Sequence, residues 1–193
     1  PLEDMRGEDL LAAAVRRIET ACVCRAAADA AAPDLWLSVD SYSLLQALTS
    51  LAGRLADEHD VKLMRLRLAR TDTHAQLDLL WQGPSMSTET VIGWETEPMR
   101  VGAESVALTV RDVVQRHDGE FWFERERVRH ESFFRMLLPL AAEGEAHHAA
   151  TVQRGDMAFE RGADAKGNHG CAVTSADTND VSDLRGALRE HDC

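Results

Sequence analysis

Lysine is almost absent from this chain: Lys62 and Lys166 are the only two, and arginine supplies nearly every other cation. That is a bias of composition with no function attached to it. The acidic excess carries more information. Thirty-three Asp and Glu against 21 Lys and Arg leave a net charge of −12 over 193 residues. An autonomous nucleic-acid binder needs a positive field to displace counterions, so direct nucleic-acid binding is not expected. Long apolar runs are also missing. The longest stretch without a charge, Ser41 to Gly53, is too short and too polar to span a bilayer, and no basic-then-apolar leader opens the chain. Cysteine is sparse. Cys22 and Cys24 are one residue apart, closer than a usual zinc pair, and Cys171 and Cys193 form no second pair. Reduced cytosolic thiols are expected. There is no P-loop, no Gly-x-Ser-x-Gly elbow and no zinc-helix motif.

Hydrophobic content of 45% is enough for a sizeable core. Leu10, Leu11, Ala14, Val15 and Ile18 recur at helical spacing and predict a helix over 8–20. Leu35 to Val39 reads as a short strand. Asp40 or Ser41 then caps the clearest helix, 41–57, whose Leu44, Leu48, Leu51 and Leu55 share one face. Residues 61–70 and 74–81 alternate apolar and polar, as half-buried strands do. The row Arg65, Arg67, Arg70 on the first of them is a solvated strand face in the ordinary case and an anion-binding face in the sharper one. Residues 87–104 have no period and are expected to be a loop with one helical turn. The three- and four-residue spacing of the valines predicts a helix over 105–117 that ends at Gly119. GEFWFERE and SFFRMLLPL are two strands. Helices on one face of a mixed sheet of about five strands make a two-layer α/β sandwich.

From about residue 143 the chain is rich in Gly, Ala, Asp and Ser and poor in large apolar residues, so 143–193 is expected to be a disordered tail after a domain of 1–142. His147, His148, His169 and Cys171 in it are expected to bind metal only adventitiously. The chain opens on Pro1 rather than Met and is expected to be a fragment or processed product of a longer protein, one that an upstream segment could anchor to a membrane.

The order of elements resembles the ATPase fold shared by gyrase, chaperone, histidine-kinase and mismatch-repair ATPases. Three stretches carry the resemblance to the histidine-kinase catalytic domain. VDSYSLLQALTSLAGRLADEH, with Asp40, Leu44, Gln46, Leu48 and Leu51, resembles the helix of the N box. LDLLWQGPSM resembles the strand and turn of the first glycine box. HDGEFWFERERVRHESFFRMLLPL, with His117, Gly119, Phe121, Trp122, Phe133, Leu138 and Pro139, resembles the end of the domain. The resemblance implies a pocket for ATP and Mg²⁺, but this sequence departs from the pattern at three separate contacts. Where the family places the metal-binding Asn, Arg54 stands, with Ser50 at the preceding Asn position. Arg is a permanent cation and cannot ligate a metal. Where the family places an Asp that accepts from adenine, Trp81 stands, and indole is a donor only. Gly83 and Pro84 remain, and Ser85 replaces the second glycine. The Gly-Leu-Gly core of the second glycine box falls on Glu104-Ser105-Val106, which crowds the approach of a phosphate.

These departures imply a degenerate, non-catalytic domain with no cofactor, whose partner is another protein or a domain of the same chain. The alternative is an active ATP- and Mg²⁺-dependent kinase domain with unusual boxes. Arg54 is expected to be solvated or paired with Asp57 or Glu58, Trp81 to fill the vacated adenine pocket as core, and His117 to sit as a helix-end residue favoured by the dipole. LWLSVDSYSLLQAL, LAGRLADEH, GWETEPM and FFRMLLPLA resemble, more particularly, the kinase-like region upstream of DNA polymerase III epsilon-type 3′–5′ exonucleases in some proteobacterial fusion proteins. The Asp-x-Glu metal motif of such an exonuclease is absent after residue 143, so no nuclease activity is expected of this chain. A cytoplasmic location is expected.

Overall fold

The computed structural model describes residues 1–142. The expectations for 143–193 lie outside the described residues. The centre of the fold is helix α2 (Ser41–His59), following strands β1 (Glu3–Arg6), β2 (Arg25–Ala28) and β3 (Trp36–Val39) and helix α1 (Gly7–Ala21). Asp40 starts α2 as read from the sequence: its Oδ1 accepts the Ser43 N–H at 3.2 Å. Asp60 ends it in the left-handed region, φ 53. Leu44, Leu48, Leu51 and Leu55 are each at most 1% exposed and belong to one core cluster with Leu10, Leu11, Ala14 and Ile18 of α1. Gly7 opens α1 because the chain passes close to Leu68 there. A Cβ at Gly7 would lie 2.6 Å from Leu68 Cδ2.

The main sheet has the order β2-β4-β5-β9-β8, with β4 Leu63–Arg70, β5 His74–Gln82, β8 Phe121–Glu126 and β9 Glu131–Pro139. β2 runs parallel to β4 and every other pair is antiparallel. Period two decides the faces. Met64, Leu66 and Leu68 pair with Trp81, Leu79 and Leu77, which pair in turn with Ser132, Phe134 and Met136. All but Ser132 join the core shared with the helices. β1 and β3 form a separate antiparallel ribbon, linked to the end of β9 by the bridge Leu37–Leu140.

Two stretches differ from their sequence reading. Residues 87–104 are not a loop: α3 (Thr88–Thr96) is followed by β6 (Pro98–Val101). Ser87 caps α3, its hydroxyl accepting the Thr90 N–H at 3.1 Å. No apolar period announces α3 because Trp94 is its only buried residue. Residues 105–117 are not one helix either. β7 (Glu104–Thr109) pairs with β6, and only Val110–Arg116 is helical, as α4. The β-branched Val106 and Thr109 suit a strand, and Thr109 with Asp112 forms a capping box that sets the start of α4 inside the stretch. Gly119 does not end α4 through a left-handed conformation, since Asp118 holds that role at φ 47. Gly119 is needed for close approach: a Cβ there would lie 2.1 Å from the Leu137 carbonyl oxygen.

Candidate functional site

The residues singled out for a nucleotide pocket surround the end of β5, the middle of α2 and the segment α3-β6-β7. Trp81 is the last core-facing residue of β5 and is 4% exposed. Its ring lies 5.1 Å from Phe134 and 6.0 Å from Phe123. Phe134 also stacks on Phe121 at 5.3 Å and meets Trp94 at 6.0 Å. Trp81 is thus part of a packed aromatic cluster, as expected for core, and presents no acceptor.

Arg54 is not solvated. It is 9% exposed, its guanidinium 5.6 Å above the Trp94 ring, and its Nη2 donates to Glu97 Oε2 at 2.6 Å. Glu58 is a distant second partner at 4.0 Å. The bond from Arg54 holds the Glu97 carboxyl below the ordinary range. Sequence reasoning looked one turn along α2 for the partner. The true partner follows α3, a helix without a periodic signal. Ser50, one turn before Arg54, is 3% exposed and its Oγ accepts the Arg100 N–H at 3.0 Å. A hydroxyl on α2 therefore ties down β6.

Gly83 lies against the Trp81 indole, where a Cβ would approach Cδ1 to 3.2 Å. Ser85 is exposed in the turn before α3. Glu104, Ser105 and Val106 do not form a glycine-box loop. They lie in β7 opposite Val101, Arg100 and Met99, in a hairpin whose turn uses Gly102 at φ 63. The structure thus gathers Ser50, Arg54 and Trp81 about the α2–β5 core and sets Glu104 and Ser105 on an exposed strand. Among the described residues, no three His, Cys, Asp or Glu side chains converge as metal ligands.

His117 behaves differently from a cationic helix-end residue. It is 1% exposed, its Nδ1–H donates to the Val113 carbonyl at 2.7 Å and its Nε2 accepts the Asp40 N–H at 2.9 Å. Both bonds together require the neutral Nδ1–H tautomer. His117 therefore clamps α4 to the start of α2. Beside it, Arg116 Nη1 reaches Asp40 Oδ2 at 2.5 Å. Burial raises the Asp40 carboxyl, but the bonds from Arg116 and Ser43 outweigh it and hold the group below its usual range.

The arginine row on β4 is neutralised by its neighbours. Arg67 and Arg135 grip Asp78, which is 2% exposed, with bonds of 2.7 Å from each, and Arg65 donates to Glu131 at 2.7 Å. An anion-binding face on Arg65 and Arg67 is therefore not supported. Asp78 was missed in the sequence because on an alternating strand it reads as one more outward polar residue, and its position between two arginine-bearing strands becomes plain only once the register is known. Cys22 and Cys24 are free thiols, Cys22 pushed up to about 12 by burial and by Cys24 beside it. Such a thiol is unreactive at neutral pH.

No protein-family model matches the chain, and no curated protein matches it. Solved structures do. The nucleotide-free catalytic domain of the histidine kinase ThkA superposes with a TM-score of 0.52 at 15% identity, over 72% of this chain and 95% of that one. The ATP-binding domain of PrrB from Mycobacterium tuberculosis gives 0.55 at 14% identity, over 73% and 98%. The histidine kinase domain of the E. coli osmosensor EnvZ gives 0.54 at 14%, over 86% and 97%. The fold is that of histidine-kinase ATP-binding domains. Identities this low carry the architecture and nothing of the chemistry. No helix among the described residues is long and apolar enough to cross a membrane.

Proposed function

We propose that this histidine-kinase-type ATPase fold serves as a non-catalytic signalling or interaction module that does not bind ATP with Mg²⁺. The observation that carries the reading is Trp81, packed at 5.1 Å on Phe134 where the family places the adenine-binding carboxylate. Arg54 supports it. The guanidinium at the position of the metal-binding amide is engaged by Glu97 and stacked on Trp94, and it cannot ligate a cation. These residues do not fit an adenine nucleotide held with Mg²⁺. Its partner is a protein or a domain attached to the same chain, not a nucleic acid, and its location is the cytoplasm. The resemblance to the kinase-like region upstream of DNA polymerase III epsilon-type exonucleases supports a related parent protein.

Losing one buried acceptor for a ligand donor costs about 1–3 kcal/mol, and each 1.4 kcal/mol is about tenfold in affinity. Loss of the metal contact adds to this and moves a micromolar site beyond the millimolar range. Calorimetry with ATP and Mg²⁺ tests the reading. The expected result is no binding at millimolar nucleotide. Micromolar binding by the unaltered chain overturns it in favour of an active kinase domain. The variant Trp81→Asp, Arg54→Asn is expected to regain binding if the scaffold is otherwise competent.

A further inference from the structure

Strand β8 ends the main sheet, and nothing among the described residues pairs with its outer side. Edge strands expose main-chain donors and acceptors in a fixed pattern. The Leu137 N–H donates to the Glu120 carbonyl at 2.9 Å, so Glu120 and Leu137 face each other as a hydrogen-bonded pair. Alternation along the register then turns the main-chain groups of Trp122, Glu124 and Glu126 toward β9. Those of Phe121, Phe123 and Arg125 turn outward to the free edge. The side chains are sorted as well. Phe121 and Phe123 lie on the core side against Phe134. Glu120, Trp122, Glu124 and Glu126 alternate with them and share the opposite face. Against the start of the strand lies an open cleft of about 530 Å³ lined by Glu95, Arg111, Gln115, Glu120, Phe121 and Trp122.

Charge decides what fits there. Arg111 is engaged by Glu95 at 3.1 Å. Arg135, lying 5.9 Å over Trp122, is held by Asp78, Glu126 is met by Arg129 at 3.9 Å, and Glu124 takes the Trp122 indole N–H at 3.3 Å, so the row Glu120, Glu124, Glu126 is only partly compensated on its own face. A second copy of β8 would bring its own glutamates against this row. In a two-fold antiparallel pairing, which keeps each face continuous, Glu124 on Glu124 or Glu120 on Glu126 would meet directly, and like charges opposite each other repel. A strand of opposite character meets no such repulsion. We propose that the β8 edge is a docking site for an extended, basic segment of a partner protein. The segment adds as a further strand, with Lys or Arg on alternate positions over the Glu120, Glu124, Glu126 row and small apolar residues between them over Phe121 and Phe123. This names the partner class for the interaction role proposed above and rests on that reading for the role alone.

The probe is a short capped peptide of alternating lysine and valine, with a glutamate–valine peptide as its control. Binding is followed by fluorescence anisotropy and by amide exchange in NMR. The lysine peptide is expected to bind, more weakly as salt rises, and to slow exchange at the Phe121, Phe123 and Arg125 amides. Arg125→Pro removes an outward N–H without breaking a bond to β9 and is expected to weaken binding about tenfold or more. Glu120→Lys with Glu124→Lys leaves the main chain intact and is expected to reverse the preference toward the glutamate peptide. Equal binding of both peptides, or protection elsewhere than those amides, overturns the proposal. So does concentration-dependent protection of the same amides without peptide, which would make the occupant a second copy. Protection lost on truncation after residue 142 would make it residues 143–193 and overturn it equally. The peptide measurement reads the edge and the ATP titration reads the site, so each can fail alone.

Discussion

Replacing Trp81 with Ala removes the central ring of a packed cluster. At 4% exposure nearly the whole indole is out of water, and a buried Trp takes about 150–250 Å² with it. At about 25 cal/mol per Å² the transfer loss is about 4–6 kcal/mol, and the extended-chain reference makes that an upper figure. Measured Trp-to-Ala changes in cores fall at about 3–5 kcal/mol, and lost contacts with Phe134 and Phe123, at 5.1 and 6.0 Å, belong to that sum. A domain of this size has about 5–15 kcal/mol in all, so Trp81→Ala should remain folded only with a small margin. Urea titration followed by far-UV circular dichroism avoids using the deleted fluorophore. With a slope of about 2 kcal/mol/M the midpoint should fall by about 1.5–2.5 M. Trp81→Phe keeps a ring and should lose less than half of that. A loss below about 1 kcal/mol for Trp81→Ala would mean that the indole stands in an open site, and would refute the reading of Trp81 as core.

The remaining predictions concern the frame around the site. Asp40 has a lowered carboxyl pKa in the fold. Its stability contribution is therefore fully present above the unfolded value near 3.9 and is lost as pH falls through the lower folded value. Asp40→Ala should cost about 1–2 kcal/mol through loss of the cap. Asp40→Asn should cost less and flatten the acid limb, and an unchanged acid limb in thermal melts across that range would refute the assignment. Gly119→Ala forces a Cβ to 2.1 Å from the Leu137 oxygen, which is backbone and cannot turn aside. It should destabilise by more than about 2 kcal/mol or shift the β8–β9 register, and a melt within about a degree of the parent would contradict the geometry.

Legibility followed period and capping. α2 declared itself through Asp40 and four leucines on one face, and β4 through Met64, Leu66 and Leu68 alternating with Arg65 and Arg67. Each signal is local, and burial then confirmed it. α3 was illegible because it buries one residue, Trp94, with Val91 only partly buried against the core. So few anchors set no period to read, and its start signal, Ser87 before Thr90, is three residues long. The stretch 105–117 misled because valines spaced for a helix also suit a strand, and only the Thr109–Asp112 box separates the two. Side-chain pairing was legible only where partners are near in sequence. Arg54 with Glu97, Asp78 with Arg67 and Arg135, and His117 with the Asp40 N–H all cross between elements. Their existence depends on register and helix packing, which composition does not encode locally.

Three of the positions at which the resemblance breaks, Ser50, Arg54 and Trp81, are not idle in this fold. Ser50 holds β6 through the Arg100 N–H, Arg54 holds the end of α3 through Glu97 and lies over Trp94, and Trp81 joins the cluster that contains Trp94. The first two contacts reach from α2 to the segment α3-β6, and the third reaches it through Phe134, which meets both Trp81 and Trp94. A buried hydroxyl, a guanidinium and an aromatic cluster hold the segment in place. Asn at 54 and Asp at 81 would therefore remove what fastens it. Arg54→Asn leaves Glu97 without its partner, and Trp81→Asp sets a carboxylate among aromatic rings, a burial that costs free energy until a ligand donor meets it. On the proposed reading, silence at the site and order in the α3-β6 segment have the same physical origin, and a variant that regains nucleotide binding should show a looser α3-β6 segment in amide exchange when nucleotide is withheld.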